Sequence, residues 1–316
     1  MAPPTFYNYA ATIVAQIIFF SLKLPSTFMH RSLITFIFFF ALIACQDPVV
    51  KPVQFSTEPT QTKIDPDQID EASGMVDSRS MPGALWVQQD GGNPAELALL
   101  GYDGRIRGKL AIPNATNRDW EDLSSGPGPQ ENINYLYIAE IGDNTGQHGQ
   151  YTVYRLPEPK NLTDVPSLVE RIRFTYPDGA RDAETLLLDP QTRDLFVVSK
   201  RETKVRLYRL PYPQSTTSTI KAELLGELPF TFVTGGAFSP DGSEIVLRTY
   251  ANVFHWSRKK GQSVADAMQR TTARDLPYRL EPQGEAICFD RENKGYFTVS
   301  EKANGINPTL NYYLRK

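Results

Sequence analysis

Histidine and cysteine are scarce in this chain. Three His and two Cys in 316 residues are too few for a His-rich zinc site, an iron–sulfur cluster or a disulfide scaffold. An excess of one charge is also lacking. The 33 basic and 36 acidic side chains leave a formal net charge of −3, without the basic footprint of a nucleic-acid binder. Three catalytic motifs are missing: the Gly-x-Ser-x-Gly elbow, the Gly-x-x-x-x-Gly-Lys phosphate loop and His-Glu-x-x-His. Beyond His30 only His148 and His255 remain. His148 sits in a Gly-rich loop and reads as exposed; His255 stands beside Trp256 and reads as structural, so a serine-hydrolase triad is not expected. What the chain does have is 41% hydrophobic and 11% aromatic residues. That suffices for a packed core and is too apolar for wholesale disorder.

Much of the apolar content lies in the first 44 residues. Two runs, residues 10–22 and 33–44, both fall short of the ~18–20 apolar residues of a membrane-spanning helix. The second has signal-peptide anatomy: Met29, then basic His30 and Arg31, then an apolar stretch over 33–41. Its end, Leu42-Ile43-Ala44-Cys45, resembles the bacterial lipobox, in which signal peptidase II cuts before a lipid-modified Cys. The resemblance implies a lipid on Cys45 and a protein anchored in the bacterial cell envelope, expected at the outer membrane, with periplasmic and surface faces both open. The alternative is an ordinary secretion signal with an incidental Cys. Residues 1–28 read as an over-extended start or a segment lost with the signal. Residues 45–69 are rich in Pro, Gln, Thr and Asp and read as a tether, with one strand around residues 53–57. Cys288, in Ala286-Ile287-Cys288-Phe289, reads as a buried core thiol.

The remainder, 70–316, is self-similar at a period near 50. Asp182-Ala183-Glu184-Thr185-Leu186 is followed by Leu195-Phe196-Val197-Val198-Ser199, and the pattern returns at Gly284-Glu285-Ala286-Ile287 and at Thr234-Gly235-Gly236-Ala237. Asp119-Trp120-Glu121-Asp122 and Glu71-Ala72-Ser73-Gly74 complete five copies. Each continues with short strands rich in Val, Ile, Tyr and Phe, separated by Gly, Pro, Asp and Asn turns. Four antiparallel strands per unit, repeated radially, make an all-β β-propeller of five four-stranded blades. Six is the alternative if the longer spacing between Glu121 and Glu184 hides a degenerate unit. The last copy lacks a fourth strand, and the strand at 53–57 is expected to supply it and close the ring. One helix is expected over residues 263–269, and the propeller is expected to be a monomer.

One repeat position precedes the innermost strand of every unit: Ser73, Glu121, Glu184, Thr234 and Glu285. Innermost strands line a propeller's channel, so these five should form a ring. Three carboxylates in a narrow channel repel one another. An all-oxygen cage of this charge suits Ca2+, which takes 6–8 oxygens, better than Mg2+. The alternative is that the polar groups satisfy only water and backbone, with raised carboxylate pKa values. This order of one residue per blade resembles the calcium-activated nucleotidase (apyrase) family, whose five-bladed propeller holds a central Ca2+ with Ser, Glu, Glu, Ser and Glu. Thr234 departs from that pattern, and the chain runs on past Glu285. The Asp-Trp-Glu-Asp, Ile-Gly-Asp-Asn (141–144) and Asp-Ala-Glu-Thr-Leu signatures also resemble bacterial lipoprotein propellers of no assigned activity.

Catalytic candidates flank this ring. Asp119 or Asp182 could serve as general base on a water near Ca2+, and Lys200 or Arg248 could clamp a phosphate or carboxylate. Asp90, Asp143, Asn144, Arg201 and Glu301 lie near second-strand ends, and Arg118 and Arg181 precede Asp119 and Asp182. Each could equally be an ordinary ion pair. Two classes of function stay open: a module whose rim binds a small molecule, glycan or protein, and a Ca2+-dependent hydrolase of phosphate esters or anhydrides. The lipobox reading has a direct check. Palmitate supplied to expressing cells should label the wild-type protein and leave Cys45→Ser unlabelled; equal labelling of both would refute it.

Overall fold

The structure is a computed structural model that describes residues 53–65 and 68–316. The signal segment, Cys45 and the first part of the tether lie outside the described residues. Each repeat folds into four antiparallel strands. Blade one is Ala72–Asp77, Ala84–Gln89, Glu96–Gly101 and Ile106–Ala111. Blade two is Trp120–Pro127, Asn134–Glu140, Tyr151–Pro157 and Glu170–Thr175. Blade three is Ala183–Leu188, Leu195–Ser199, Val205–Leu210 and Glu223–Leu228. Blade four is Val233–Phe238, Glu244–Thr249, Val253–Ser257 and Arg274–Leu276. Blade five is Gly284–Phe289, Gly295–Ser300 and Thr309–Leu314, completed by Thr60–Lys63 from the start of the described chain. The inner strands adjoin in chain order, and that of blade five adjoins that of blade one. The ring is therefore closed, with five blades and not six. The long spacing between Glu121 and Glu184 is taken up by longer strands and by the loops 141–150 and 158–169 of blade two.

Position in the blade explains the strand sequences. Inner and second strands are sandwiched between neighbouring blades and read as continuous buried runs, such as Ala84–Gln89 and Leu195–Ser199. Outer strands show one face to water and alternate, as Ile106–Ala111 does. The closing strand is the fourth and outermost of its blade, as expected, but its residues are not those expected. It runs over Thr60–Lys63, with Thr60 opposite Tyr312 and Lys63 opposite Thr309, not over residues 53–57. Phe55 makes only an isolated bridge to Arg315. It is buried against Tyr296, edge to face at 4.9 Å, so it anchors the closing segment. An edge strand needs little apolar content, so the polar Thr-Gln-Thr-Lys run serves.

Apolar packing forms one wedge per blade interface. Trp86 and Leu99 of blade one meet Trp120 and Leu136 of blade two, and Met75 and Leu85 meet Ala286 and Phe297 across the closing seam. Cys288 lies buried in that seam as a free thiol. Blades two and three also share a strand addition: Ile220–Lys221 pairs in parallel with Glu170–Thr175. The helix, Val264–Arg270, is capped by Ser263, whose side chain accepts from the Asp266 N–H, and buries Val264, Ala267 and Met268 against blades three and four. Among the described residues no helix is long and apolar enough to cross a membrane.

Buried charges span the wedges. Arg258 binds Asp189 with two bonds of 2.8 and 2.9 Å between blades four and three. Glu244 accepts from Arg315 at 2.9 Å and from Asn293 at 3.0 Å, joining blade four to blade five, and meets His255 at 2.8 Å. Burial alone would raise the Glu244 pKa, but His255, Arg315 and Asn293 outweigh it and hold the carboxyl below its ordinary value. A carboxylate with a depressed folded-state pKa stabilises the fold above its unfolded pKa of about 4.3 and loses that contribution as pH falls through the folded value. The gap in Tm between wild type and Glu244→Gln should therefore be widest near neutral pH and shrink below about pH 4. A constant gap from pH 7 to 3 would contradict this.

Candidate metal centre

All five inner strands share one irregularity. Where each pairs with its second strand, the register skips a residue: between Ala72 and Gly74, Trp120 and Asp122, Ala183 and Thr185, Val233 and Gly235, and Gly284 and Ala286. The skipped residues are Ser73, Glu121, Glu184, Thr234 and Glu285. A bulge leaves its extra residue out of the ladder and re-aims its side chain. All five are at most 5% exposed.

The residues just past the bulges let the inner strands close in. A Cβ on Gly74 would lie 2.6 Å from the Leu123 N, and one on Gly235 would lie 2.5 Å from the Glu285 carbonyl oxygen. Asp122, at the same level, is fully buried and accepts the N–H groups of Leu123 and Leu186, each at 2.8 Å, and that of Gly236. One carboxyl thus ties blades two, three and four. Burial pushes its pKa well up, against those three donors. Beyond it, at the other ends of the inner strands, lies a separate cavity of about 140 Å³ lined by Asp77, Leu123, Phe238 and Cys288.

A second set of residues faces the bulges from the ends of the second strands. Asp90, Lys200 and Glu301 each donate a backbone N–H to the carbonyl two residues before a bulge, those of Glu71, Asp182 and Gln283, at 2.9, 3.0 and 2.8 Å. Gly142 donates likewise to Asp119 at 3.3 Å, and Tyr250 follows the second strand of blade four. These positions turn the ring into an acidic cup. Carboxylate oxygens of Glu121, Asp182 and Glu184 lie within 4.8 Å of one another, and so do those of Asp90, Asp119 and Glu121. Glu285 belongs to neither triad, although its charge acts on Glu121.

Crowding leaves its mark on the protonation of these groups. Burial first, then the charges of Asp90 and Asp119, drive the Glu121 pKa well up. Asp119 is pushed up to about 6 by burial and by Asp90 and Asp182. Glu301 is pushed up to about 8 by burial, Glu285 and Asp90. Burial also raises Glu285, against the pull of Lys200 and Arg248. The Lys200 ammonium is buried and pairs with Glu184 Oε1, 5.3 Å from the centre of the Tyr250 ring. Glu184 Oε2, equally buried, has no hydrogen-bond partner among the described residues.

The two hydroxyls of the ring are engaged as donors. Ser73 Oγ donates to the Trp120 carbonyl at 2.9 Å and Thr234 Oγ1 to the Gly284 carbonyl at 2.8 Å. Each acceptor directly precedes the bulged Glu of the next blade, so the hydroxyls stitch blade to blade.

The four catalytic candidates part company. Asp119 and Asp182 sit in the cup, and Asp182 also accepts the Asp143 N–H at 2.9 Å and pairs with Arg201. Lys200 reaches the cup. Arg248 is fully buried two residues short of Tyr250; it binds Glu281 at 2.9 Å, the Tyr278 hydroxyl at 2.7 Å and the carbonyls of Ala286 and Val299 at 2.7 and 3.1 Å. Arg181 pairs with Asp178 and Glu202. Asp143 anchors the 141–148 loop by accepting from Gln147, His148 and the Tyr151 hydroxyl; these bonds outweigh burial and lower its pKa. Sequence reasoning gave Gly142 no role. A Cβ there would overlap the carboxylates of Asp119 and Glu121, so glycine keeps the wall of the cup open.

The chain matches no protein-family model and no curated protein.

Asp122→Ala should cost about 3 kcal/mol or more of stability, because three buried N–H groups lose their acceptor at about 1–3 kcal/mol each. Urea unfolding measures this, and a loss below about 1 kcal/mol would refute the tie across the three blades.

Proposed function

We propose that this protein is a lipid-anchored cell-envelope propeller that binds one Ca2+ in the acidic cup and uses the surrounding rim to bind a ligand or partner. The observation that carries the reading is the buried Glu184 Oε2, without a hydrogen-bond partner among the described residues, within a set of carboxylates that burial and mutual repulsion push toward protonation. A divalent ion would satisfy that oxygen and let its neighbours ionise. The donor set fits a hard ion: all are oxygens, with no His or Cys among them. Glu121, Glu184 and Asp182 would hold it, with Asp90 and Asp119 in a second triad around Glu121; Glu285, Ser73 and Thr234 complete the wall. The one-residue-per-blade pattern shared with the calcium-activated nucleotidases supports the ion rather than their activity. The lipobox at Cys45 supports the location.

The binding role is favoured over hydrolysis because the cationic candidates are engaged. Arg248 is spent on Glu281 and backbone carbonyls, and Arg201 on Asp182. One observation favours the hydrolase, a Ca2+-dependent cleavage of phosphate esters or anhydrides: Asp119 lies in the cup within 4.8 Å of Glu121 and Asp90, where a carboxylate could act as general base.

Calorimetry on the full chain in detergent should find about one Ca2+ per chain. Glu184→Gln and Gly142→Ala, the second without any change of charge, should each weaken binding at least tenfold, about 1.4 kcal/mol. Unchanged affinity and Tm in both would refute the site. Phosphate-ester turnover that needs Ca2+, stops with EDTA and is lost in Asp119→Asn would move the assignment to the hydrolase.

A further inference from the structure

The proposed Ca2+ site contains a cation of its own. Lys200 holds the second-strand end position whose counterparts in other blades are Asp90, Gly142 and Glu301. Its backbone is fixed from two sides. Its N–H donates to Asp182 of its own blade at 3.0 Å, and its carbonyl accepts from Phe232 of the next blade at 2.7 Å. The side chain is therefore delivered to the cup by a rigid frame. The ammonium takes Glu184 Oε1 and leaves Oε2 without a partner among the described residues. Tyr250, from the same level of blade four, offers it a ring face with the centroid at 5.3 Å. A lysine among Glu121, Glu184 and Glu285 has its charge paired in the ion-free cup. It is well placed to stand in for a metal ion.

Resting on the Ca2+ reading of this cup, we propose that Lys200 is its resident counter-ion, that Ca2+ binds by displacing the ammonium from Glu184, and that this exchange sets the affinity. The exchange makes and breaks no covalent bond. The ammonium leaves Glu184 toward the rim, and Ca2+ takes the carboxylates it vacates. An ion that must evict a tethered competitor binds with its intrinsic affinity reduced by the fraction of molecules in which the competitor is already out. The ion-free cup also stays part-neutralised, so the closed ring does not depend on metal to hold its carboxylates together.

The test is Ca2+ calorimetry on wild type, Lys200→Met, Lys200→Gln and Lys200→Arg. The neutral variants are expected to bind Ca2+ at least tenfold tighter than wild type, and Lys200→Arg no tighter. A merely structural lysine gives the opposite result, since its loss loosens the site. Neutral variants of native circular dichroism that bind no tighter than wild type would overturn the exchange while leaving the ion site standing. Absence of Ca2+ binding in every protein, wild type included, would overturn both. NMR of wild-type protein labelled with 15N at lysine Nζ does not depend on any variant folding. The Lys200 ammonium signal is expected to move to the position of a solvent-exposed lysine on Ca2+ saturation. A signal unchanged at saturation would overturn the exchange.

Discussion

Like charge gathered in a largely buried space is the constraint around which this molecule is arranged. Two unit charges 4 Å apart repel by about 4 kcal/mol at an effective dielectric near 20. The cup holds two overlapping triads of carboxylates. No sequence of ordinary strands would assemble that. It takes a bulge in every inner strand, glycine or another small residue directly beyond most of them, and loops that bring Asp90, Asp119 and Asp182 over the top. The stability that tolerates the repulsion comes from elsewhere, from five apolar wedges between blades and from fully paired charges such as Arg258 with Asp189.

Ring closure matters to this arrangement because it sets the spacing of the five bulges. An open ring could relax outward and dilute its charges. Here Thr60–Lys63 completes blade five, Phe55 locks beside Tyr296, and Arg315 reaches Glu244. The inner strands are then drawn together by Asp122 and by the hydroxyl bonds of Ser73 and Thr234. Charge that cannot spread must be neutralised by protons, by Lys200 or by a metal ion. The raised pKa values of Glu121, Asp119 and Glu301 mark the first means, and the Lys200–Glu184 pair marks the second.

Much of this was legible in the chain because a propeller writes its geometry as a repeat. The five bulged positions stood out as recurring Ser, Thr or Glu before an apolar run, although nothing in the run announced a bulge. The blade count followed from the same spacing. Two features were hidden for definable reasons. The closing strand was sought among apolar residues, whereas the outermost strand of a blade has only one face to bury, and Phe55 drew attention away from the polar run that pairs. The cup was harder still. Lys200 and Arg248 both looked like basic residues near a second-strand end, yet Arg248 lies two residues earlier than the blade-four counterpart of Lys200. At about 3.4 Å per residue, that places it deep between blades four and five instead of at the cup. The part played by Gly142 could not be seen either, since what matters is the room it leaves beside Asp119 and Glu121.

A single divalent ion is proposed to complete this cup. Anomalous scattering from crystals grown with Ca2+, collected at a long wavelength where Ca2+ contributes strongly, tests it most directly. One peak is expected between Glu121 and Glu184, with the Lys200 ammonium withdrawn from Glu184. A cup without a peak, with Lys200 still against Glu184 at saturating Ca2+, would contradict it.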